Sequence, residues 1–353
     1  MDLSNFIFFF ILVILSFFFN RYFPYLLNKN YPKLLVDDQF DKPQAFHMSA
    51  ISTSGGIGVF CSFLIAYLYF FFFEGIVYYK YLSFCSLFFF LGLVDDLKIN
   101  VRPKFRLLIM IIILIVLVTI NEFYVERTGL AFLNRLLEID IFSLFFICLC
   151  FLFIINGSNL IDGYNGLLGI HSLIILLNLF LINYLNEKYE LAYLMFCGVL
   201  IVLTFLKFNF PRAKLFLGDS GSYFMGAFIA VSVIQTSVAN PFISPFYFCI
   251  LLFYLFFEVF FSFIRKIAVE KKSPLFPDKK HLHMLIYKIL YKKNKNKLKS
   301  NYSVSIIINS AYLILITPAI FMMKNGLFCK YYSLIFFIIY IVSYKATKTK
   351  LKM

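Results

Sequence analysis

The sequence predicts an all-α fold, a polytopic integral membrane protein, on three observations. Of its 353 residues, 62% are apolar and 50 are Phe. Hydrophobic runs approaching the roughly 20 residues needed to cross a bilayer core recur from end to end. Lys and Arg gather in alternate connections between those runs. A soluble core has no use for so much apolar surface, and no solenoid repeat or second domain interrupts the pattern. The whole chain, 1–353, reads as one transmembrane domain.

About eleven helices follow from the run lengths. The first, 5–27, has no basic segment before it and no small-residue cleavage site after it, so it reads as a retained span rather than a signal peptide. Spans 48–73, 76–94 and 107–121 come next, with Lys80 and the short 107–121 run blurring the ends of the latter two. Spans 140–156 and 166–185 flank a polar cluster rich in Gly and Asn, and 190–207 and 221–237 flank Lys214–Ser222. A single run, 243–265, leads to Arg265. The last two spans, 303–323 and 328–344, follow a Lys/Asn run at 292–300 that reads as a solvated loop.

If the connections alternate sides, one side collects 27 of the 33 Lys and Arg residues. Positive-inside bias makes that side cytoplasmic, with the N-terminus periplasmic and the C-terminus cytoplasmic. The functional loops on that side are 28–47, 95–106, 156–166, 208–220 and 266–302. The net charge of +15 reflects this bias, and basic residues that border spans speak against nucleic-acid binding. Seven Cys lie almost wholly in spans with no CxxC, and they read as apolar filler. His171, inside a span, reads as a packed, hydrogen-bonded side chain.

Acids beside hydrocarbon are costly unless hydrated or paired, which makes Asp95, Asp96, Asp162 and Asp219 candidates for function. Asp95-Asp96 offer a metal ligand and a general base, one carboxyl raised by its neighbour. In Asn156-Gly-Ser-Asn159-Leu-Ile-Asp162-Gly-Tyr-Asn165-Gly166, spacings of three place Asn156, Asn159 and Asp162 on one helical face. Lys214-Leu-Phe-Leu-Gly218-Asp219-Ser220-Gly-Ser222 opens a helix whose N–H groups and hydroxyls suit phosphate oxygens, with Asp219 suited to magnesium. The alternative there is a plain N-cap. Asp278-Lys-Lys280-His281-Leu-His283 lacks the spacing of a zinc site and suits phosphate contact. Glu258, on the same run as Arg265, reads either as a partner of the site or as a buried structural pair.

The order of these motifs resembles the polyprenyl-phosphate sugar-1-phosphate transferases, the glycosyltransferase 4 type of membrane enzyme. Its bacterial members include undecaprenyl-phosphate N-acetylglucosamine-1-phosphate transferases and phospho-N-acetylmuramoyl-pentapeptide transferases. The likeness runs from about residue 37 to 284 and takes in Asp41-Lys-Pro, Phe46-His47, Gly55-Gly56 and Pro103-Lys104-Phe-Arg106. The family pattern is broken in three places: at Ser52-Thr-Ser54 before the paired Gly, at Asn165 in place of an acid, and at Met284 in place of a third His.

The resemblance implies transfer of a sugar-1-phosphate, of N-acetylhexosamine type, from a UDP-sugar to undecaprenyl phosphate. UMP would be released and lipid-linked surface glycan synthesis initiated, at a cytoplasm-facing site in the bacterial inner membrane. The expected metal is Mg²⁺, with Mn²⁺ as substitute, on Asp219, Asp96 and Asp162. Catalytic roles fall to Asp95, Asp96 and Asp162, with Asp95 the base. Substrate contacts fall to His47, Lys104, Asn156, Asn159, Lys214, Gly218, Ser220, Lys280, His281 and His283. Direct attack by the lipid phosphate is preferred to a phospho-aspartate on Asp162. Expected partners are the donor, the acceptor and membrane lipid, with a homodimer allowed. Rival readings are a transporter or flippase of an anionic lipid or sugar phosphate, a CDP-alcohol phosphotransferase and an inactive scaffold.

Overall fold

The computed structural model describes residues 3–31, 34–37, 50–99, 101–273 and 279–351. The helices are α1 (Leu3–Asn30), α2 (Gly55–Phe73), α3 (Tyr79–Asp96), α4 (Pro103–Ile120), α5 (Ala131–Leu137), α6 (Asp140–Ile161) and α7 (Leu167–Leu185). They continue as α8 (Tyr189–Asn209), α9 (Gly218–Ala239), α10 (Pro245–Leu251), α11 (Phe253–Ile264), α12 (Leu282–Asn294), α13 (Lys297–Phe321) and α14 (Gly326–Lys350). A two-residue antiparallel ladder, β1 (Val36–Asp37) with β2 (Ile51–Ser52), precedes α2.

This is an all-α, multi-pass membrane protein. Among the described residues nine helices are long and apolar enough to span, and the pair Pro245–Leu251 and Phe253–Val269, bent by 74°, makes a tenth if counted as one. The helix α3 falls outside that set because its 18 residues include Lys80, Asp95 and Asp96. Its apolar stretch ends at Val94, with both acids beyond it.

At the centre stands α9, the most enclosed span, packed against α2, α3, α6, α7, α8 and α10. Between apolar helices in lipid, association rests on close van der Waals packing and small residues. Gly92 of α3 shows this, since a Cβ there would overlap the carbonyl of Asp219. The outer helices α4 and α14 leave most of their apolar surface uncovered, as lipid-facing spans do.

Two expected spans need correction. The run expected from 48 begins its helix only at Gly55, because Ser52 pairs with β1 and with Leu215 instead. The run 243–265 is not one helix: it breaks at Leu252 and ends in a π-helical turn, Arg265–Val269. The break exposes the Leu251 carbonyl, which accepts from the Tyr312 hydroxyl at 2.6 Å. Nor is 292–300 a loop: α12 runs to Asn294 and α13 starts at Lys297, capped by the Asn296 side chain.

Candidate active site

Four carboxylates from three helix ends meet at one end of the bundle: Asp95 and Asp96 close α3, Asp162 follows α6, and Asp219 lies in the first turn of α9. A helix start leaves N–H groups unsatisfied and carries partial positive charge, so an anion is favoured there. Asp96 is that anion. Its Oδ1 accepts the N–H of Asp219 at 2.8 Å and its Oδ2 that of Ser220 at 2.9 Å. Gly218 makes the approach possible: its φ is +74°, and a Cβ would lie 2.7 and 2.8 Å from the Asp96 oxygens.

This corrects the expectation that the N–H groups around Gly218 and Ser220 are open to phosphate. A carboxylate from the same chain occupies them, and Ser220 is buried. The preceding loop is pinned from the other side. Phe216 N–H donates to Ser52, Gly55 N–H to Phe216 and Gly56 N–H to Leu217, which accounts for the paired Gly near the N-terminus.

Asp219 keeps 37% of its side chain exposed. Its Oδ1 accepts from Asn159 at 2.6 Å, and the same Asn159 amide donates to Ser222 Oγ at 2.9 Å. Arg106 stands between two acids, with Nη1 2.8 Å from Asp95 Oδ2 and 3.7 Å from Asp219 Oδ2. From the sequence, Arg106 stood only as one of the bases of a salt-bridged loop after Asp95-Asp96 and as part of the family likeness, with no role at the site.

Asn156 does not join this group. Its amide donates back to the Leu152 carbonyl at 2.8 Å, and Asn159 orients Asp219 rather than Asp162. At about 100° per residue, six residues turn a helix far enough to put Asn156 and Asp162 on different faces. Beyond Asp162 the chain is fastened on several sides. Asn165 N–H donates to Asn301 at 2.8 Å, the Asn165 amide to the Pro211 carbonyl at 2.9 Å, and Gly166 N–H to Asn209 at 2.6 Å. Asn165 is thus a fastening residue here.

Like charges and burial raise three of the acids. Burial and then the Asp219 charge push the Asp96 carboxyl up to about 7. Burial, with Asp219 and Asp96 behind it, holds Asp162 well above the usual carboxylate range. Asp95 is also raised by burial, against the pull of Arg106.

Such a group suits a cation. Among the described residues no three His, Cys, Asp or Glu side chains converge closely enough to cage an ion unaided. Mg²⁺ needs no cage, since it binds through one or two carboxylates and completes its shell with water and phosphate. Asp219, partly exposed, and Asp162, which no hydrogen-bond donor reaches among the described residues, fit that demand. Asp96, with both oxygens on backbone N–H groups, fits it less well.

The basic candidates divide. Lys104 and Lys214 are exposed, without a carboxylate partner among the described residues. Lys280 instead pairs with Glu270 at 2.9 Å, and Arg265 pairs with the same Glu270 at 2.7 Å rather than with Glu258. His281 and His283 are buried, not set among lysines. His281 Nδ1 lies 3.1 Å from Glu258 Oε1, which also accepts the Leu282 N–H at 2.9 Å, while Tyr340 donates to Oε2 at 2.7 Å. His283 Nδ1 meets the Tyr254 hydroxyl at 3.3 Å, and its ring stands edge-on to Tyr164, 5.5 Å away. Met284 is core. His171 is packed as expected, with Nδ1 3.1 Å from Asn309 Oδ1. The stretch 38–49, with Asp41 and His47, and Asp278 lie outside the described residues.

Comparison with known proteins agrees with this geometry. Residues 78–237 match the model of a family described as "Glycosyl transferase family 4". An undecaprenyl-phosphate alpha-N-acetylglucosaminyl 1-phosphate transferase of Thermotoga maritima is 29% identical over 246 residues, 69% of this chain and 71% of the relative. The protein of that name from Escherichia coli K12 is 26% identical over 259 residues, 70% and 68% of the two chains. A phospho-N-acetylmuramoyl-pentapeptide-transferase of Dictyoglomus thermophilum is 30% identical over 240 residues, 65% of this chain and 74% of the relative.

Proposed function

The chain belongs to glycosyl transferase family 4, the polyprenyl-phosphate sugar-1-phosphate transferases, and from that premise we propose its donor, acceptor and chemistry. The donor is a UDP-sugar of N-acetylhexosamine type, the acceptor is undecaprenyl phosphate, and UMP leaves. The reaction takes place on the cytoplasmic side of a bacterial inner membrane. The observation that carries this reading is the meeting of Asp95, Asp96, Asp162 and Asp219 with Arg106 and Asn159. Phosphoryl exchange requires little of a protein beyond positioning and charge neutralisation, and this group supplies both.

Asp219 and Asp162 are the residues that would hold Mg²⁺ or Mn²⁺. The bound ion supplies neutralisation of the diphosphate and polarisation of its oxygens. Asn159 aims Asp219, and Asp96 fixes the helix start that carries it. Asp95, raised by burial and tethered at one oxygen to Arg106, accepts the proton of the lipid phosphate. Lys104 and Lys214, exposed within a few residues of Arg106 and Asp219, offset phosphate charge.

An apolar cavity of about 400 Å³ suits the acceptor's hydrocarbon tail. It is lined by Phe151 and Ile154 of α6, Val233 of α9, and Leu252 and Phe253 at the α10–α11 break, and it runs on to Glu126, Thr128 and Val238 at the end of the bundle away from the acids. Ile154 precedes Asp162 by eight residues, about 12 Å of helix rise. The deciding experiment incubates purified protein with undecaprenyl phosphate and a panel of UDP-sugars, scoring UMP and lipid product. One sugar should yield both; if every donor gives neither, the assignment is wrong.

A further inference from the structure

From residue 279 to the C-terminus the chain has no acid and 14 Lys. Lys292, Lys293, Lys295, Lys297 and Lys299 crowd the turn between α12 and α13, and all five are exposed. Lys345, Lys348 and Lys350 are exposed in the last turns of α14. Among the described residues no carboxylate pairs with any of the eight.

Both sets lie at the end of the bundle that carries the acids. Asn301, in the first turns of α13, accepts from Asn165 three residues after Asp162, which fixes the end at which α13 starts. A short turn, 322–325, sends α14 back antiparallel to α13, so its C-terminus returns to that end, and α12 packs on both helices. Lys297 and Lys299 open one span while Lys345, Lys348 and Lys350 close another, which places their ammonium groups at headgroup depth.

We propose that this lysine surface binds the anionic headgroups of phospholipids, and that it does so independently of the donor and acceptor of the transfer reaction. Positive-inside bias alone accounts for scattered Lys at span ends. It does not account for five within eight residues, uncompensated by any acid in the final 75 positions. Such a cluster repels itself until counter-charge arrives, and an anionic membrane surface is the counter-charge fixed at that depth. The surface also adjoins the centre, since Lys299 stands two residues from Asn301, which fastens the turn after Asp162.

Binding of pyrene-labelled phosphatidylglycerol to the purified full chain in detergent tests this without reference to turnover. Wild type should take up the labelled lipid, yield it to unlabelled phosphatidylglycerol but not to phosphatidylcholine, and release it as salt is added. The combined Lys292→Gln, Lys293→Gln, Lys295→Gln, Lys297→Gln and Lys299→Gln variant should bind at least about tenfold more weakly. Lys324→Gln with Lys330→Gln, at the opposite end, should bind as wild type does. If the fivefold variant does not fold, Lys345→Gln, Lys348→Gln and Lys350→Gln together give the same comparison. The proposal is overturned by equal displacement with phosphatidylcholine, by undiminished binding in the Gln variants, or by equal loss in the opposite-end pair. Displacement of the lipid by inorganic diphosphate as readily as by phosphatidylglycerol also overturns it, because the surface would then serve soluble phosphates.

Discussion

Replacing Asp96 by Asn separates a helix cap from a metal ligand. Both oxygens of Asp96 receive backbone N–H groups at the start of α9. Hydrogen bonds to a charged acceptor contribute about 1.5–3 kcal/mol each. The Asn side chain keeps one acceptor and turns an NH₂ toward the second backbone donor, so one bond is lost and the other weakened. Removing the charge also relieves repulsion from Asp219, the second cause of the raised Asp96 carboxyl after burial. At about pH 5, where the wild-type carboxyl already carries its proton and no buried charge is relieved, the balance is a destabilisation of about 1 kcal/mol, and it shrinks as pH climbs through about 7. Asp219→Asn behaves differently, since its side chain is 37% exposed and the amide oxygen still accepts from Asn159. Its stability should stay within about 0.5 kcal/mol of wild type. Thermal inactivation in detergent at about pH 5, read beside UMP release at about pH 8, distinguishes them. Both variants should lose turnover, and only Asp96→Asn should lose heat resistance. An Asp96→Asn protein as heat-resistant as wild type would refute the cap.

Three further outcomes follow. Gly218→Ala strains a backbone at φ +74° and drives a methyl into the Asp96 carboxylate, so it should cost more than 1 kcal/mol and most of the turnover; a fully active, stable variant contradicts the geometry. Glu258→Ala leaves His281, the Leu282 N–H and Tyr340 without their buried acceptor, with an expected loss of about 3–5 kcal/mol, whereas Tyr340→Phe should lose only about 1 kcal/mol. Comparable heat resistance of these two variants counts against Glu258 as the anchor of the His281–His283 turn. The third outcome concerns pH. Asp96 is raised to about 7 in the folded chain against an ordinary value near 4, so the folded state binds more protons in that interval. Metal-free protein should therefore become less heat-resistant as pH climbs from about 4 to about 7, and Mn²⁺ should cancel the trend by holding the ionised carboxylates. A rise in stability over that range without metal is the contrary result.

The helices and the order of the acidic motifs were legible because both are local properties. Run length defines a span, and a carboxylate next to hydrocarbon stands out against only 18 acids in the chain. What escaped depends on contacts between distant segments. Asp96 reaches N–H groups 123 and 124 residues away, so spacing alone could not show that the α9 N-terminus was already capped. Glu258, in the middle of α11, and His281, just before α12, are 23 residues apart, and the run 243–265 gave no sign of the 74° bend that brings α11 to its place. Pro245 marks only the start of α10. Asn156 misled for a local reason, since two steps of three residues drift around the helix.

The placement of the acids also bears on how the centre works. Each belongs to a helix end, where the last carbonyls or first N–H groups are unpaired and polar side chains can reach hydrocarbon depth without breaking a helix. Three of the four sit where burial raises their proton affinity, and among the described residues Arg106 is the one cation within 4 Å of any of them. A cation bound beside such a group favours its ionised form. The protonation of the centre is therefore coupled to any cation that binds beside it. Because Asp96 also caps α9, that coupling extends to the direction of the helix that presents Asp219.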